Sequence, residues 1–191
     1  MVAFVSRVIA TMRSMRRLAD IDLLDDHALR QEMTWASMGI LVGGTLAGVL
    51  AAVILPHERI DPLWFLALAL GSVGALPVHE LVHAAAFKLL TGFRAHVRFG
   101  FGGWMLYTSA EGTIMRRHRF CAVLLAPTVL VSVALFVVAG ALGSPLLGWF
   151  LVVIHLAGCT GDLAYVRIVM REPMATHVED TAYGIALFHD A

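Results

Sequence analysis

Residues 62–83 read PLWFLALALGSVGALPVHELVH, and this stretch decides the fold. Positions 62–78 carry no charge, and the run ends directly on His79-Glu80-Leu81-Val82-His83, an HExxH pattern. A bilayer span takes about 20 apolar residues. Ionisable groups at the end of such a span are costly unless they are paired or functional. On a helix, His79 and His83 lie one turn apart on one face. Two imidazole nitrogens so placed can share one Zn²⁺, with Glu80 as general base for a water. With nine histidines and six glutamates in 191 residues, chance yields the pattern roughly 1% of the time, so it carries weight.

Three further uncharged runs lie outside this stretch. They are 34–55, then 120–144 with Pro127 inside it, then 145–161 with His155 as its only ionisable group. The chain is 59% hydrophobic and 15% charged, whereas a soluble domain averages about 25% charged residues. Four buried helices in a soluble protein would leave too little polar surface to cover them. The expected architecture is an all-α membrane protein with four transmembrane helices, its surroundings the lipid bilayer. A net charge of zero suggests no nucleic-acid partner. Cys121 and Cys159 both fall in apolar runs and read as buried thiols rather than a disulfide or CxxC site.

The basic residues set the orientation. Arg7, Arg13, Arg16, Arg17 and Arg30 precede the first span, and Lys88, Arg94, Arg98, Arg116, Arg117 and Arg119 separate the second from the third. Arg167 and Arg171 follow the fourth, and only Arg59 falls in the loop 56–61. The positive-inside rule then puts both termini and the central loop in the cytoplasm of a multi-pass inner-membrane protein.

Residues 1–33 form an N-terminal cytoplasmic segment. Val2, Val5, Val8, Ile9, Met12 and Met15 recur at helical spacing among arginines, which predicts an amphipathic helix on the membrane surface. The acidic stretch 20–32 reads as a connector. Residues 34–171 make the membrane domain, and 172–191 a short cytoplasmic tail of mixed charge. Between the second and third spans the period changes. Ala95, Val97, Phe99 and Phe101 alternate with polar residues and glycine up to Gly102-Gly103, which predicts a β-hairpin over about 94–111. An open hairpin edge can pair with an extended peptide, so Val97, Phe99 and Phe101 are candidates for a substrate-holding strand.

Catalytic zinc sites usually have three protein ligands. Asp162, at the end of the fourth run, is the best third candidate. His79 lies 17 positions after Pro62, and Asp162 lies 17 after Pro145. At 1.5 Å per residue both sit about 25 Å inward from their helix starts, at one level near the cytoplasmic face. His155 shares a helix face with Asp162 but lies about 10 Å away along a regular helix. It suits a group behind the ligands, an oxyanion donor or a hydrogen-bonded core histidine. Thr160, between Gly158 and Gly161, is a candidate for the first two roles.

These residues resemble the site-2 protease group of intramembrane zinc metalloproteases. More closely, the chain is similar to a bacterial family of zincin peptidases. The likeness runs from the motif through Phe99-Gly100, Pro127 and Gly161-Asp162 to Asp180 and Gly184. It implies His79, His83 and Asp162 as ligands, Glu80 as catalytic base and the hairpin as a substrate-binding β element. The chain departs from well-studied site-2 proteases in placing Gly161 before the Asp and Leu163 after it. It also has no asparagine.

The expected function is a membrane-embedded zinc endopeptidase cleaving membrane-associated or transmembrane peptide segments. The alternative is a non-catalytic metal-binding membrane module, or a chaperone-like binder of other spans. One polar cluster near one face offers no through-path for a transporter.

Overall fold

The computed structural model describes residues 15–22, 26–54, 58–102, 105–181 and 184–190. The elements run β1 (Met15–Asp22), α1 (His27–Ile54), α2 (Pro62–Leu90), β2 (Arg98–Gly102), β3 (Met105–Ser109), β4 (Thr113–Arg116) and α3 (Arg117–Ala141). They continue with α4 (Pro145–Gly158), α5 (Thr160–Arg171), β5 (His177–Asp180) and β6 (Gly184–Asp190). The architecture is mostly helical with a small sheet.

Three helices, α1, α2 and α3, are long and apolar enough to cross a membrane. The fourth expected span is a pair: α4 and α5 meet at Cys159 with a bend of 53°. The outward faces of α1, α2 and α3 are rich in exposed large apolar side chains, among them Leu46, Val53, Phe65, Leu70, Val133 and Val137. That pattern is compatible with a membrane protein.

Local chemistry fixes where the helices begin. Asp61 caps α2 by accepting from the Trp64 backbone N–H at 3.0 Å, with Pro62 opening the helix. Glu58 ties two starts together. One oxygen accepts from the Trp64 indole N–H at 2.6 Å, and the other accepts from the Leu146 backbone N–H at 2.7 Å, in the first turn of α4. The beginnings of α2 and α4 are thus held at one level.

Helix α1 packs on α4 through Gly44 and Gly48, one turn apart. The Trp149 indole N–H donates to the Gly44 carbonyl at 2.9 Å. A Cβ at Gly48 would sit 2.8 Å from Phe150 Cζ and 2.9 Å from Trp149 Cδ1. Small residues at this spacing let membrane helices approach closely. Gly48→Leu is therefore expected to destabilise the protein by about 1–3 kcal/mol in thermal unfolding in detergent. Gly43→Leu, where nothing lies within 4 Å of the new Cβ, should be near neutral.

The sheet differs from expectation. Strands β1-β6-β5-β4 form a four-stranded sheet, antiparallel throughout, and β2-β3 a separate hairpin. The N-terminal amphipathic helix is corrected over the residues described: 15–22 is a strand paired with β6, and residues 1–14 lie outside them. The connector is corrected too, since α1 already starts at His27. The segment 172–191 is not a simple tail, because it supplies β5 and β6. The core sits where this sheet meets the ends of α2, α3 and α5. There Phe87, Phe120, Val123 and Val169 pack with Met115, Val178, Ile185 and Leu187.

The hairpin forms with Phe99 opposite Thr108 and Gly100 opposite Tyr107, while residues 103 and 104, the expected place of its turn, lie outside the described residues. Phe99 and Phe101 stand exposed on β2. Val97 falls before the strand and packs against the core, so it does not belong to the hairpin edge. Strand β3 lies against α2.

Candidate metal centre

His79 and His83 project from one face of α2 and meet Asp162 in the first turn of α5. His79 Nε2 is 3.2 Å from Asp162 Oδ2, and His83 Nε2 is 3.4 Å from the same oxygen. Nitrogen and oxygen ligands about 2.0–2.1 Å from a tetrahedral zinc lie about 3.3 Å apart, so both spacings suit one shared ion. The three side chains are largely buried, at 13%, 8% and 17% exposure. Arg167, five residues beyond Asp162, pairs instead with Glu32 on α1.

The protonation pattern argues for a cation. The buried His83 Nδ1 is 3.1 Å from the Val123 carbonyl, which can only accept, so Nδ1 carries the proton. Nε2 is left to face the Asp162 carboxylate oxygen, where a proton or a metal ion must sit between them. His79 can follow the same order, with Nδ1 donating to His155 Nε2 at 3.1 Å and His155 Nδ1 donating to Ser132 Oγ at 3.0 Å. With both imidazoles neutral, as metal binding requires, three acceptors converge on one point, an arrangement that a bound cation satisfies. Backing of each ligand imidazole through its other nitrogen is what metal-binding histidines generally show.

Glu80 supplies a second sign. Its Oε2 is buried without a hydrogen-bond partner among the described residues. An orphaned buried acceptor costs about 1–3 kcal/mol. The residues present thus fit a zinc ion together with a hydrogen-bonding water or substrate group.

His155 and Thr160 part company here. His155 stands behind His79 because the bend at Cys159 takes Asp162 off the line of α4. Thr160 is corrected: its hydroxyl shares a 2.8 Å hydrogen bond with Ser37 on α1 and does not face the metal-ligand group. Ser132 escaped sequence reasoning, since a lone serine inside an apolar run gives no signal.

The sheet also reaches the centre. Thr108 on β3 donates to the Glu80 carbonyl at 3.0 Å. At the end of β3, Asp180 of β5 accepts from the Ser109 hydroxyl at 3.1 Å and from the Ala110 N–H at 2.5 Å. Burial pushes the Asp180 carboxyl up to about 6, against the downward pull of those donors and of His83, while Glu111 adds to the rise. A raised carboxyl favours the folded state in its neutral form. That contribution is complete below the ordinary value of 3.8 and is lost as pH rises through about 6. Wild type should therefore lose thermal stability relative to Asp180→Asn between about pH 4 and 6. Melting curves that stay parallel across that window would refute the assignment.

A family model described as "Putative zincin peptidase" matches residues 72–176, more than half of the chain, and the chain belongs to that family. The matched region holds His79, Glu80, His83 and Asp162. Membership indicates a metallopeptidase and implies zinc as its metal. No curated protein and no solved structure matches the chain.

Proposed function

We propose that the protein is a membrane-embedded zinc endopeptidase of the site-2 protease kind, acting on peptide segments in or beside the bilayer. The carrying observation is the convergence of His79 Nε2, His83 Nε2 and Asp162 Oδ2 beside Glu80, whose buried Oε2 has no hydrogen-bond partner among the described residues. Zinc held by those three residues would polarise a carbonyl and lower the pKa of a water toward about 7. Val123 and His155 hold the two imidazoles in orientation. Glu80 takes the proton from the attacking water and hands it to the departing amine. Pro77 lacks the N–H for one helical hydrogen bond just before His79, which leaves backbone room on that face.

The substrate must be extended, because a helical carbonyl is hydrogen-bonded and crowded. The hairpin offers strand pairing for that purpose. Its β3 edge is favoured over the expected β2 residues Phe99 and Phe101, because β3 contacts α2 and Thr108 bonds Glu80.

The topology draws support from the sheet. β1, β4 and the pair β5-β6 come from the N-terminal, central and C-terminal segments, yet they pair with one another. All three segments therefore share one side of a membrane. That requires an even number of crossings before and after β4, which α1 with α2 and α3 with the bent α4-α5 pair supply. The arginine distribution makes that side the cytoplasm.

The test is metal analysis with a cleavage assay on an unstructured peptide presented in detergent or bilayer. About one zinc per chain and cleavage dependent on Glu80 are expected. Zinc without any Glu80-dependent cleavage would favour the non-catalytic module.

A further inference from the structure

Cys159, at the bend between α4 and α5, has no part in the zinc reading. Its sulfur lies 3.8 Å from His79 Nδ1 and 3.7 Å from His155 Nε2, and those nitrogens are 3.1 Å apart. A tetrahedral ion with bonds of about 2.0 Å to nitrogen and 2.3 Å to sulfur sets nitrogens about 3.3 Å apart and nitrogen from sulfur about 3.5 Å apart. The triangle matches one face of such a shell to within a few tenths of an ångström. All three atoms belong to one group with metal-ligand spacing.

Two neighbours fit the same purpose. Ser132 Oγ holds His155 through Nδ1, leaving Nε2 directed at the triangle. Thr128 is 9% exposed, and its buried hydroxyl has no hydrogen-bond partner among the described residues beyond a loose contact with the Cys159 side chain. It is a spare donor for a thiolate.

We propose that His79 Nδ1, His155 Nε2 and Cys159 Sγ form a second metal site, selective for a soft d¹⁰ ion such as Cu⁺ or Cd²⁺ and sharing His79 with the zinc centre. Thiolate with imidazole is a donor set that prefers soft ions, whereas two imidazoles with a carboxylate is a borderline set suited to zinc. The two sets use opposite nitrogens of one ring. Occupancy of the second releases the Cys159 thiol proton and the Nδ1 proton of His79. His79 then loses the hydrogen bond that backs its Nε2, so the soft ion disturbs the zinc centre from behind. The site is defined by its ligands alone and stands whether or not the protein cleaves peptides.

The full-length protein, zinc-loaded in detergent, is titrated with Cd²⁺, whose bond to a thiolate gives an ultraviolet charge-transfer band. The band reports cysteine ligation only, so Cd²⁺ entering the carboxylate site is silent. It should saturate in wild type and in Cys121→Ser, and vanish in Cys159→Ser. His155→Ala should need more than about tenfold higher Cd²⁺, the lower end of what outer partners of a metal site contribute. Asp162→Ala keeps all three ligands and should keep the band. Cys159→Ala serves as a second thiol-free variant should the serine fail to fold. A band that persists without Cys159, disappears with Cys121 or Asp162, or never forms in wild type overturns the proposal.

Discussion

Glu80→Gln abolishes peptide hydrolysis while zinc stays at about one ion per chain. General acid–base assistance contributes about 10²–10⁴ in rate, or roughly 3–5 kcal/mol of barrier. Glutamine keeps the length and shape of the side chain but cannot take a proton at this position. The ligand atoms belong to His79, His83 and Asp162, so the substitution removes none of them. Glu80 Oε2 has no hydrogen-bond partner among the described residues, so no bond from that oxygen is broken. Melting temperature should hold level or rise, as expected where a strained functional group gives way to a neutral one. Equal cleavage by wild type and Glu80→Gln would sink the catalytic reading and leave a metal-binding module in its place. Loss of cleavage together with loss of zinc would instead make Glu80 a determinant of the metal site.

Much of the centre was legible because two of its features are one-dimensional. HExxH spacing puts two imidazoles on one helix face, and the equal counts from Pro62 and Pro145 bring Asp162 to the same depth. Glu58 explains why that count works, since it bonds the first turns of both helices. The hairpin was readable from period-two alternation around two glycines. Strand β1 was not, for a physical reason. A register shift between Arg17 and Ala19 interrupts its pairing with β6. Its half-buried positions therefore fall at Met15, Leu18, Ile21 and Asp22, and the three-residue spacing of the apolar ones mimics a helix. Strands β5 and β6 pair with each other as neighbours in sequence, but their outer partners β4 and β1 lie far away along the chain, and no period-two run marks them. The position of His155 depended on the 53° bend at Cys159, which flanking glycines hinted at without fixing its direction.

Asp162→Ala loses zinc and, in a chelator, is destabilised as well. In the metal-free protein the Asp162 carboxylate pairs with the His79 and His83 imidazoles at 3.2 and 3.4 Å, so removing it breaks a buried pair. In zinc the gap widens. An ion that binds only the folded state adds about 4 kcal/mol at a thousandfold excess over its dissociation constant. Wild type should gain that increment and the variant should not. Melting curves of both proteins, each with chelator and with zinc, separate the two contributions. His155→Ala is the necessary comparison. It removes the partner behind His79 but no ligand of the zinc group, so zinc affinity should fall by about 10–100-fold without vanishing. Full zinc in Asp162→Ala with none in His155→Ala would transfer the ligand role to His155.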